Sequence, residues 1–345
     1  LIPGCDDAES ADCLNDDPTL LRNANVKFNL QVAPNNKFNF LWAYNNKGRE
    51  TRGASDTRPL ETTWVQRGPV HIFKFEDTHI FSDNLLLTGR YAYIDGGFGL
   101  FYQDPSLRDV QVSYDLDTGN YARSYLDYVT ERPVNTANVD VNYFMTDVGG
   151  ADMEFKFGYQ FKSTPIDSFT TYGGDAYAVF DAGVATEAWL FRQSNRTYNG
   201  TYHAFHFQDI ITKGNMTLKL GLRYDNSKAW NEASTVPANQ IVPDFLPAVQ
   251  ATATDKVTWN NLSPRLGLTY DLTGDGKTIL RASYGRFYDL MDLGANASNY
   301  NAANATEVDV PWNDLNGDGF IQAPELDLNT IYYTRNYNVD DPSSS

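Results

Sequence analysis

The sequence predicts an all-β fold, namely part of an antiparallel up-and-down transmembrane β-barrel with short periplasmic turns and long extracellular loops. Three observations support this prediction. Apolar and polar residues alternate strictly along many segments, which places the apolar side chains on one face of each strand. Roughly twelve such segments run for about nine to twelve residues, longer than the about five or six of globular strands and close to the about ten that cross a bilayer. Short turns and mostly longer loops alternate between these segments.

Residues 260–289 give the clearest pattern, two strands joined by a tight turn. One face of the first strand carries Leu262, Pro264, Leu266, Leu268 and Tyr270. Glycines and aspartates at residues 271–276 suit a turn, and Leu280, Ala282 and Tyr284 then share one face of the return strand. The segment therefore predicts an antiparallel hairpin with one apolar and one polar side, although Pro264 is unusual inside a strand.

The remaining strands are predicted in chain order by the same alternation. They lie at residues 25–32, 38–44, 70–77, 85–93, 110–114, 121–129, 137–145, 153–161, 201–211 and 216–224. Residues 163–200 form a long excursion that is expected to carry its own hairpin, and residues 226–258 form a long loop. Short turns are expected near residues 34, 83, 117, 149, 214 and 274, and longer loops near 53, 102, 173, 242 and 305. The link near residue 133 is an exception to this alternation.

The 345-residue chain is strongly acidic, with a formal net charge of −17. This charge disfavours nucleic acid as a partner and favours divalent cations. No apolar run approaches the roughly eighteen residues of a membrane helix, which excludes a helical membrane protein. We interpret residues 1–345 as part of one barrel domain, with strands over roughly 24–290, acidic loops at 1–20 and 290–345, and no recognisable plug domain.

The first residues contain both cysteines of the chain. Because the sequence begins at Leu1 without an initiator methionine, we expect a processed chain or a piece of a longer one. Cys5 and Cys13 lie close together in an acidic segment, which predicts a small disulfide in an oxidising compartment. Free or unrelated thiols are the alternative, and the spacing is not that of a zinc site.

A soluble protein could show the same alternation. In a β-sandwich the apolar face packs against a second sheet, and periodicity alone does not distinguish that sheet from lipid. A secreted, calcium-stabilised β-sandwich or adhesin domain is therefore the alternative hypothesis. The strand length, the two classes of connection and the Tyr and Phe residues near strand ends favour the barrel.

Two segments resemble a known family. MTLKLGLRYD at residues 216–225 and NNLSPRLGLTYDLTGDGKTILRASYGRFYD at 260–289 resemble the barrel of TonB-dependent outer-membrane receptors. The resemblance is specific over residues 201–330 and looser over 20–163. The most similar branch is the Oar-like receptors, in which a carboxypeptidase-regulatory-like domain precedes the plug.

This resemblance implies a barrel of about twenty-two strands around a plug, in the outer membrane of a Gram-negative bacterium. The chain would supply about half of that barrel, with outer-membrane lipid around it. The receptor would bind an unknown ligand at the cell surface and import it with energy from TonB. TonB would act through an N-terminal part that this sequence does not contain.

Residues 314–325 match the twelve-residue calcium-binding loop, with glycine at its sixth position. The expected ligands are Asp314, Asn316, Asp318, the backbone of Phe320, Gln322 and Glu325. The alternative is a surface loop rich in Asn, Asp and Gly that binds nothing, since flanking helices are not evident. A similar run at residues 271–276 has Ala282 where the glutamate would stand, and we interpret it as a turn.

No group of residues predicts catalysis, so we do not expect an enzyme. His203 and His206 are three residues apart in a predicted strand. Residues at that spacing face opposite sides of a strand, which argues against a shared metal ion.

Overall fold

The computed structural model describes residues 17–343, which contain twenty-one strands and one short α-helix. The strands are β1 (Thr19–Ala33), β2 (Asn36–Arg52), β3 (Trp64–Arg67), β4 (Pro69–Ser82), β5 (Leu85–Asp95), β6 (Gly97–Phe101), β7 (Val112–Asp115), β8 (Tyr121–Ala122), β9 (Leu126–Glu131), β10 (Val134–Met145), β11 (Asp152–Tyr172), β12 (Ala176–Asp181), β13 (Val184–Arg192), β14 (Ser194–Lys213), β15 (Met216–Asn231), β16 (Ser234–Val236), β17 (Val249–Ala251), β18 (Val257–Asp271), β19 (Ile279–Gly285), β20 (Thr306–Pro311) and β21 (Tyr333–Arg335). The helix α1 is Leu293–Asn296, and single 3₁₀ turns lie at Leu60–Thr62, Pro105–Asp109, Gly173–Asp175, Ser298–Tyr300 and Ala323–Glu325. No helix in this part of the chain is long and apolar enough to cross a membrane.

One large antiparallel sheet, which we call the wall, contains the long strands. Its strands pair in the order β1, β2, β4, β5, β10, β11, β14, β15, β18 and β19, which is their order in the chain. Tight turns join the strands in pairs at one end, and longer loops join successive pairs at the other. This up-and-down order with two classes of connection confirms the predicted fold class.

Three strands of the wall are interrupted at neighbouring positions. Gly68 separates β3 from β4, Gly96 separates β5 from β6, and Arg132–Pro133 separates β9 from β10. Because β3, β6 and β9 pair with one another and with β2 and β11, they continue the wall beyond the break. A side chain at Gly97 would lie 2.5 Å from the Thr130 carbonyl oxygen, so glycine permits this close approach. The link near residue 133 is thus a break inside one strand rather than an exceptional connection.

The register of the wall keeps apolar side chains on its outer face. Aromatic rings contact one another there across four strands, in the order Phe28, Phe40, Phe75 and Tyr91. Many side chains of this face are uncovered, with Phe28 60% and Phe205 55% exposed. An apolar surface of this extent is suited to lipid. In a β-sandwich a second sheet would cover it, and none does so among the residues that the structure describes.

The hairpin predicted at residues 260–289 is formed by β18 and β19, with Leu268 opposite Ala282. The carbonyl oxygen of Pro264 accepts a hydrogen bond from the Arg286 N–H, just beyond the last paired residue of β19. The nitrogen of Pro264 faces the same side, where the ladder has already ended. The missing N–H of this proline therefore leaves no gap in the sheet.

A second sheet, which we call the cap, is built from the long loops. Its six strands lie in the order β21, β20, β13, β12, β7 and β8, with β7 and β12 parallel. One face buries a core of Ala176, Ala178, Ala188, Leu190, Val242, Leu246, Val308, Val310, Trp312 and Ile321.

The hairpin expected within residues 163–200 is confirmed as β12 and β13. Residues 290–345 were expected to be an acidic loop, but they contribute β20 and β21 because their apolar side chains complete this core. The strand predicted at 110–114 and the turn near 117 belong to the cap as β7 and its link to β8.

An aromatic cluster on the other face of the cap attaches it to the wall. Tyr172 at the end of β11 stacks on Phe191 of β13, with ring centres 4.0 Å apart. Trp64 of β3 contacts Tyr125, and the Arg58 guanidinium lies 3.6 Å from the centre of the Tyr125 ring. Residues of both sheets thus share one cluster of aromatic and cation–π contacts, which holds the cap at the loop end of the wall.

Candidate functional site

Charged and polar side chains on the inner face of the wall form a row that we call the lumenal belt. Its first part, on five strands, comprises Asn39, Lys74, Glu76, Arg90, Asp140 and His206. Arg90 joins three strands, because its Nε donates to Glu76 Oε2 over 2.8 Å and its Nη1 to Asp140 Oδ2 over 2.5 Å. Asn39 Nδ2 donates to the other Glu76 oxygen over 3.1 Å. Each carboxylate therefore has a partner on a neighbouring strand.

The lumenal belt continues across β11, β14 and β15. Arg223 Nη2 donates to Gln160 Oε1 over 2.7 Å and to the Tyr202 hydroxyl over 2.5 Å. Asp225 Oδ1 accepts from Arg223 Nε over 2.9 Å and also from the Tyr202 hydroxyl. Such cross-strand pairs stabilise the register and give this face of the wall a polar surface. The sequence predicted a polar side for these strands but not these pairs, since the partners are set by strand register.

Gly158 makes room for His206, the last member of the first part of the lumenal belt. His206 lies opposite Gly158, with its Nε2 3.6 Å from Asp140 Oδ1. A Cβ atom at position 158 would lie 1.9 Å from His206 Cε1 and 2.7 Å from Asp140 Oδ1. His203 is on the outer face, where its Nδ1 is 2.9 Å from the Tyr159 hydroxyl. The two histidines therefore face opposite sides, as the sequence predicted.

The predicted calcium ligands lie in one tight loop beside the cap. The Asp314 carboxylate accepts hydrogen bonds from the N–H groups of Gly317, Asp318 and Gly319 over 2.9, 3.1 and 2.8 Å. Asn316 Oδ1 accepts from Asp318 N–H, and Asp318 Oδ1 from Phe320 N–H. Gln322 Nε2 donates to Asp318 Oδ2 over 2.8 Å. Four of the five predicted side-chain ligands are therefore engaged within the loop.

Glu325, the predicted twelfth-position ligand, is buried and makes three hydrogen bonds of its own. Its Oε1 accepts from Leu315 N–H over 3.1 Å, and its Oε2 from Trp312 Nε1 over 3.2 Å and Gln322 N–H over 3.3 Å. Arg123 also donates to the Gly319 carbonyl oxygen over 2.7 Å. This guanidinium places a positive charge beside the loop.

The loop geometry alone does not identify a calcium site. The turn that begins at Asp271 wraps its carboxylate in the same way, with N–H bonds from Gly274 over 2.9 Å and Gly276 over 2.8 Å, although it lacks the glutamate. In the described residues, no three His, Cys, Asp or Glu side chains are grouped so as to hold a metal ion. Calcium at residues 314–325 stays a prediction. The disulfide between Cys5 and Cys13 also stays one, since both lie outside the described residues.

Asp309 on β20 is a buried acid that the sequence did not single out. It lies opposite Trp189 of β13 and Tyr333 of β21, is 8% exposed, and has no hydrogen-bond partner at Oδ1. Burial, and then repulsion by the Glu307 and Glu187 carboxylates, raises the pKa of Asp309 from 3.8 to about 7. No local pattern could have revealed this, because the burial comes from strands distant in sequence.

The close approach of His206 to Gly158 predicts that adding a methyl group at position 158 destabilises the wall. Gly158→Ala should push the His206 ring away from Asp140 and lower the stability of the wall by about 1 to 3 kcal/mol. The midpoint temperature at which the purified native protein loses its folded, heat-modifiable electrophoretic band measures this change. Gly221→Ala is the matched control, because a Cβ at that inward position finds its nearest neighbours at 3.5 Å. An equal loss in both variants would contradict the steric explanation.

The calcium prediction is tested by terbium luminescence excited through tryptophan, since Trp312 contacts Glu325. We expect terbium to bind and millimolar calcium to displace it, at the affinity of about 10⁻⁴ to 10⁻³ M usual for extracellular sites. Asp314→Asn should abolish the signal, whereas Asp271→Asn should leave it unchanged because that turn lacks the twelfth ligand. A signal that calcium does not displace, or none at all, would exclude calcium binding.

The raised pKa of Asp309 predicts a pH-dependent stability of the cap. Between pH 3.8 and about 7 the folded protein holds a proton that the unfolded chain releases, so stability falls as pH rises through this window. Asp309→Asn should remove this component and raise the midpoint of thermal unfolding near pH 8 by about 2–4 °C or more relative to wild type. Asp117→Asn, at an exposed turn position, is the control. Identical pH profiles for wild type and Asp309→Asn would rule out this role.

Comparison with known proteins agrees with the architecture of the wall. The outer membrane beta barrel domain family matches residues 134–327, which is more than half of the chain. No curated protein sequence matches the chain significantly.

Several solved structures share the fold. The chain is similar to the outer membrane transporter YddB from Escherichia coli at 11% identity and a TM-score of 0.57, covering 86% of this chain and 38% of that one. It is similar to the unliganded ferric citrate transporter FecA at 12% identity and a TM-score of 0.50, covering 86% and 41%. It is also similar to the closed form of the ferric-catecholate import receptor Fiu from E. coli K12 at 10% identity and a TM-score of 0.50, covering 87% and 49%.

At these identities the similarity shows the fold alone. The chain spans less than half of the length of each of the three transporter structures. The family match, together with the lipid-facing outer surface of the wall, identifies the chain as a member of the outer membrane beta barrel domain family, located in the cell outer membrane of a Gram-negative bacterium.

Proposed function

We propose that this chain is a segment of a TonB-dependent outer-membrane receptor that binds a ligand at the cell surface and imports it with energy from TonB. One combination of features supports the proposal. The wall has a lipid-facing outer face and a polar inner face, and a large folded cap lies at its loop end. A pore that only let solutes diffuse would need no folded cap with its own core. A receptor needs a surface that selects a ligand, and we propose that the cap and the upper lumen form that surface.

The open edges of the wall support the view that more strands complete the barrel. β1 pairs only with β2, and β19 only with β18, in the described part of the chain. Their outer N–H and C=O groups would be unpaired in lipid, where each unsatisfied group costs several kcal/mol. We infer that strands from outside this chain pair with both edges. The greater length of the similar transporters agrees with this inference.

The proposed branch of the receptor family rests on the sequence resemblance. We propose that the receptor belongs to the Oar-like branch, with a carboxypeptidase-regulatory-like domain and a plug encoded outside this chain. Its partners would be outer-membrane lipid, TonB and an imported small molecule. An enzymatic role is not part of the proposal, because the similar solved structures are transporters and receptors rather than enzymes.

Cross-linking in whole cells tests the proposal. Peptides of this chain should come from a heat-modifiable outer-membrane protein well above 38.7 kDa, the mass of this chain, together with peptides of a plug and a carboxypeptidase-regulatory-like domain. The same protein should cross-link to TonB, while a general porin of the same cells, as the control, should not. A soluble species near 38.7 kDa, or an outer-membrane protein that never contacts TonB, would contradict the proposed function.

A further inference from the structure

A polar cavity lies where the wall meets the cap. It has a volume of about 360 Å³ and is lined by the ends of β11 and β14, by the segment that precedes β20, and by β21. Ser194 and Arg196 of β14 pair with Thr170 and Ser168 of β11, in the same alternation that places His206 on the inner face. The cavity therefore opens from the lumenal side at the loop end of the wall. Its size is at the lower end of small-molecule sites.

Two polar groups in this cavity lack partners inside the protein. Ser194 is only 3% exposed, and its Oγ has no hydrogen-bond partner. The Nε of Arg196 is also buried and without a partner, while its Nη1 donates to Ser298 Oγ over 3.0 Å. Buried polar groups in folded proteins are nearly always paired, so two such groups in one cavity indicate a missing acceptor.

The charge of the cavity indicates what kind of acceptor is missing. Its lining contains two guanidinium groups, Arg196 and Arg335, and no carboxylate. No ion pair involves Arg196 in the described part of the chain. Arg335 pairs with Glu307 over 2.9 Å and donates to the Tyr172 hydroxyl over 3.4 Å, which occupies only part of its five-donor fork. In a chain of net charge −17, this is a local positive site.

We propose that this cavity binds a small molecule through an oxyanion, either a carboxylate or a phosphate group. Arg196 and Ser194 turn their unpartnered Nε–H and Oγ–H groups toward its oxygens on binding, and Arg335 supplies the second positive charge. Arginine suits this role because its planar fork matches both carboxylate and phosphate. The inference rests on the proposed function to the extent that the oxyanion belongs to the imported ligand, and it names the chemical class of that ligand.

The test is calorimetric titration of the purified native protein in detergent with two probes, inorganic phosphate and succinate. We expect at least one to bind, and the one that binds more tightly identifies the source of the oxyanion. Arg196→Gln should weaken binding about tenfold or more, because it removes a charged donor. Ser194→Ala should weaken it by a factor of about two to ten. Arg281→Gln, on the exposed strand β19, is the matched control and should change neither affinity.

The outcomes separate this inference from the proposed function. Binding of neither probe, or an equal loss of binding in Arg281→Gln, overturns the oxyanion site. Because Arg196→Gln could also disturb the contact with Ser298, each variant is checked for its heat-modifiable folded band, and Ser194→Ala supplies an independent change. If the protein contacts TonB but binds neither probe, only the cavity inference fails. If the protein binds a probe through Arg196 but never contacts TonB, only the proposed receptor function fails.

Discussion

The structure depends on one constraint, which is that hydrocarbon offers no hydrogen-bond partner to the backbone. Every N–H and C=O of a lipid-embedded strand must therefore pair with a neighbouring strand. This requirement explains the unbroken ladders between β10 and β11 and between β14 and β15. It also explains why the three interrupted strands break toward the loop end rather than near the tight turns. A glycine or proline break can be tolerated there because water and loops satisfy the freed groups.

The same constraint produces two chemically different surfaces on one sheet. Outward residues meet lipid and form rows of aromatic rings, whereas inward residues must remain polar and still avoid unpaired charge. The lumenal belt meets both conditions, since Arg90 and Arg223 each join acceptors on more than one strand. The pairs also oppose a shift in register, because a slip of one residue would turn every charge toward lipid.

The cap is stabilised as a globular domain is, by a buried apolar core and by side-chain contacts between distant segments. Its apolar core includes residues from segments that are distant in the chain. Arg192, only 1% exposed, connects such segments through hydrogen bonds. This guanidinium donates to Thr306 Oγ1 and to the carbonyl oxygens of Pro247 and Pro342, and burial lowers its pKa. The cavity with Arg196 lies where this globular unit meets the wall. A ligand site at that junction would let binding influence both parts.

The amino-acid sequence was enough to predict the wall: its class, nearly all of its strands, the direction of their faces and the position of each tight turn. These features follow from periodicity and turn chemistry, which act between residues close in the chain. The folded structure was needed to show that residues near 133 interrupt a strand, and that β20 and β21 join the cap. It was also needed to show that Asp309 is buried and that Arg196 contacts Ser298, 102 residues away. Such contacts depend on how distant segments pack, and no local pattern records which buried group will have a partner.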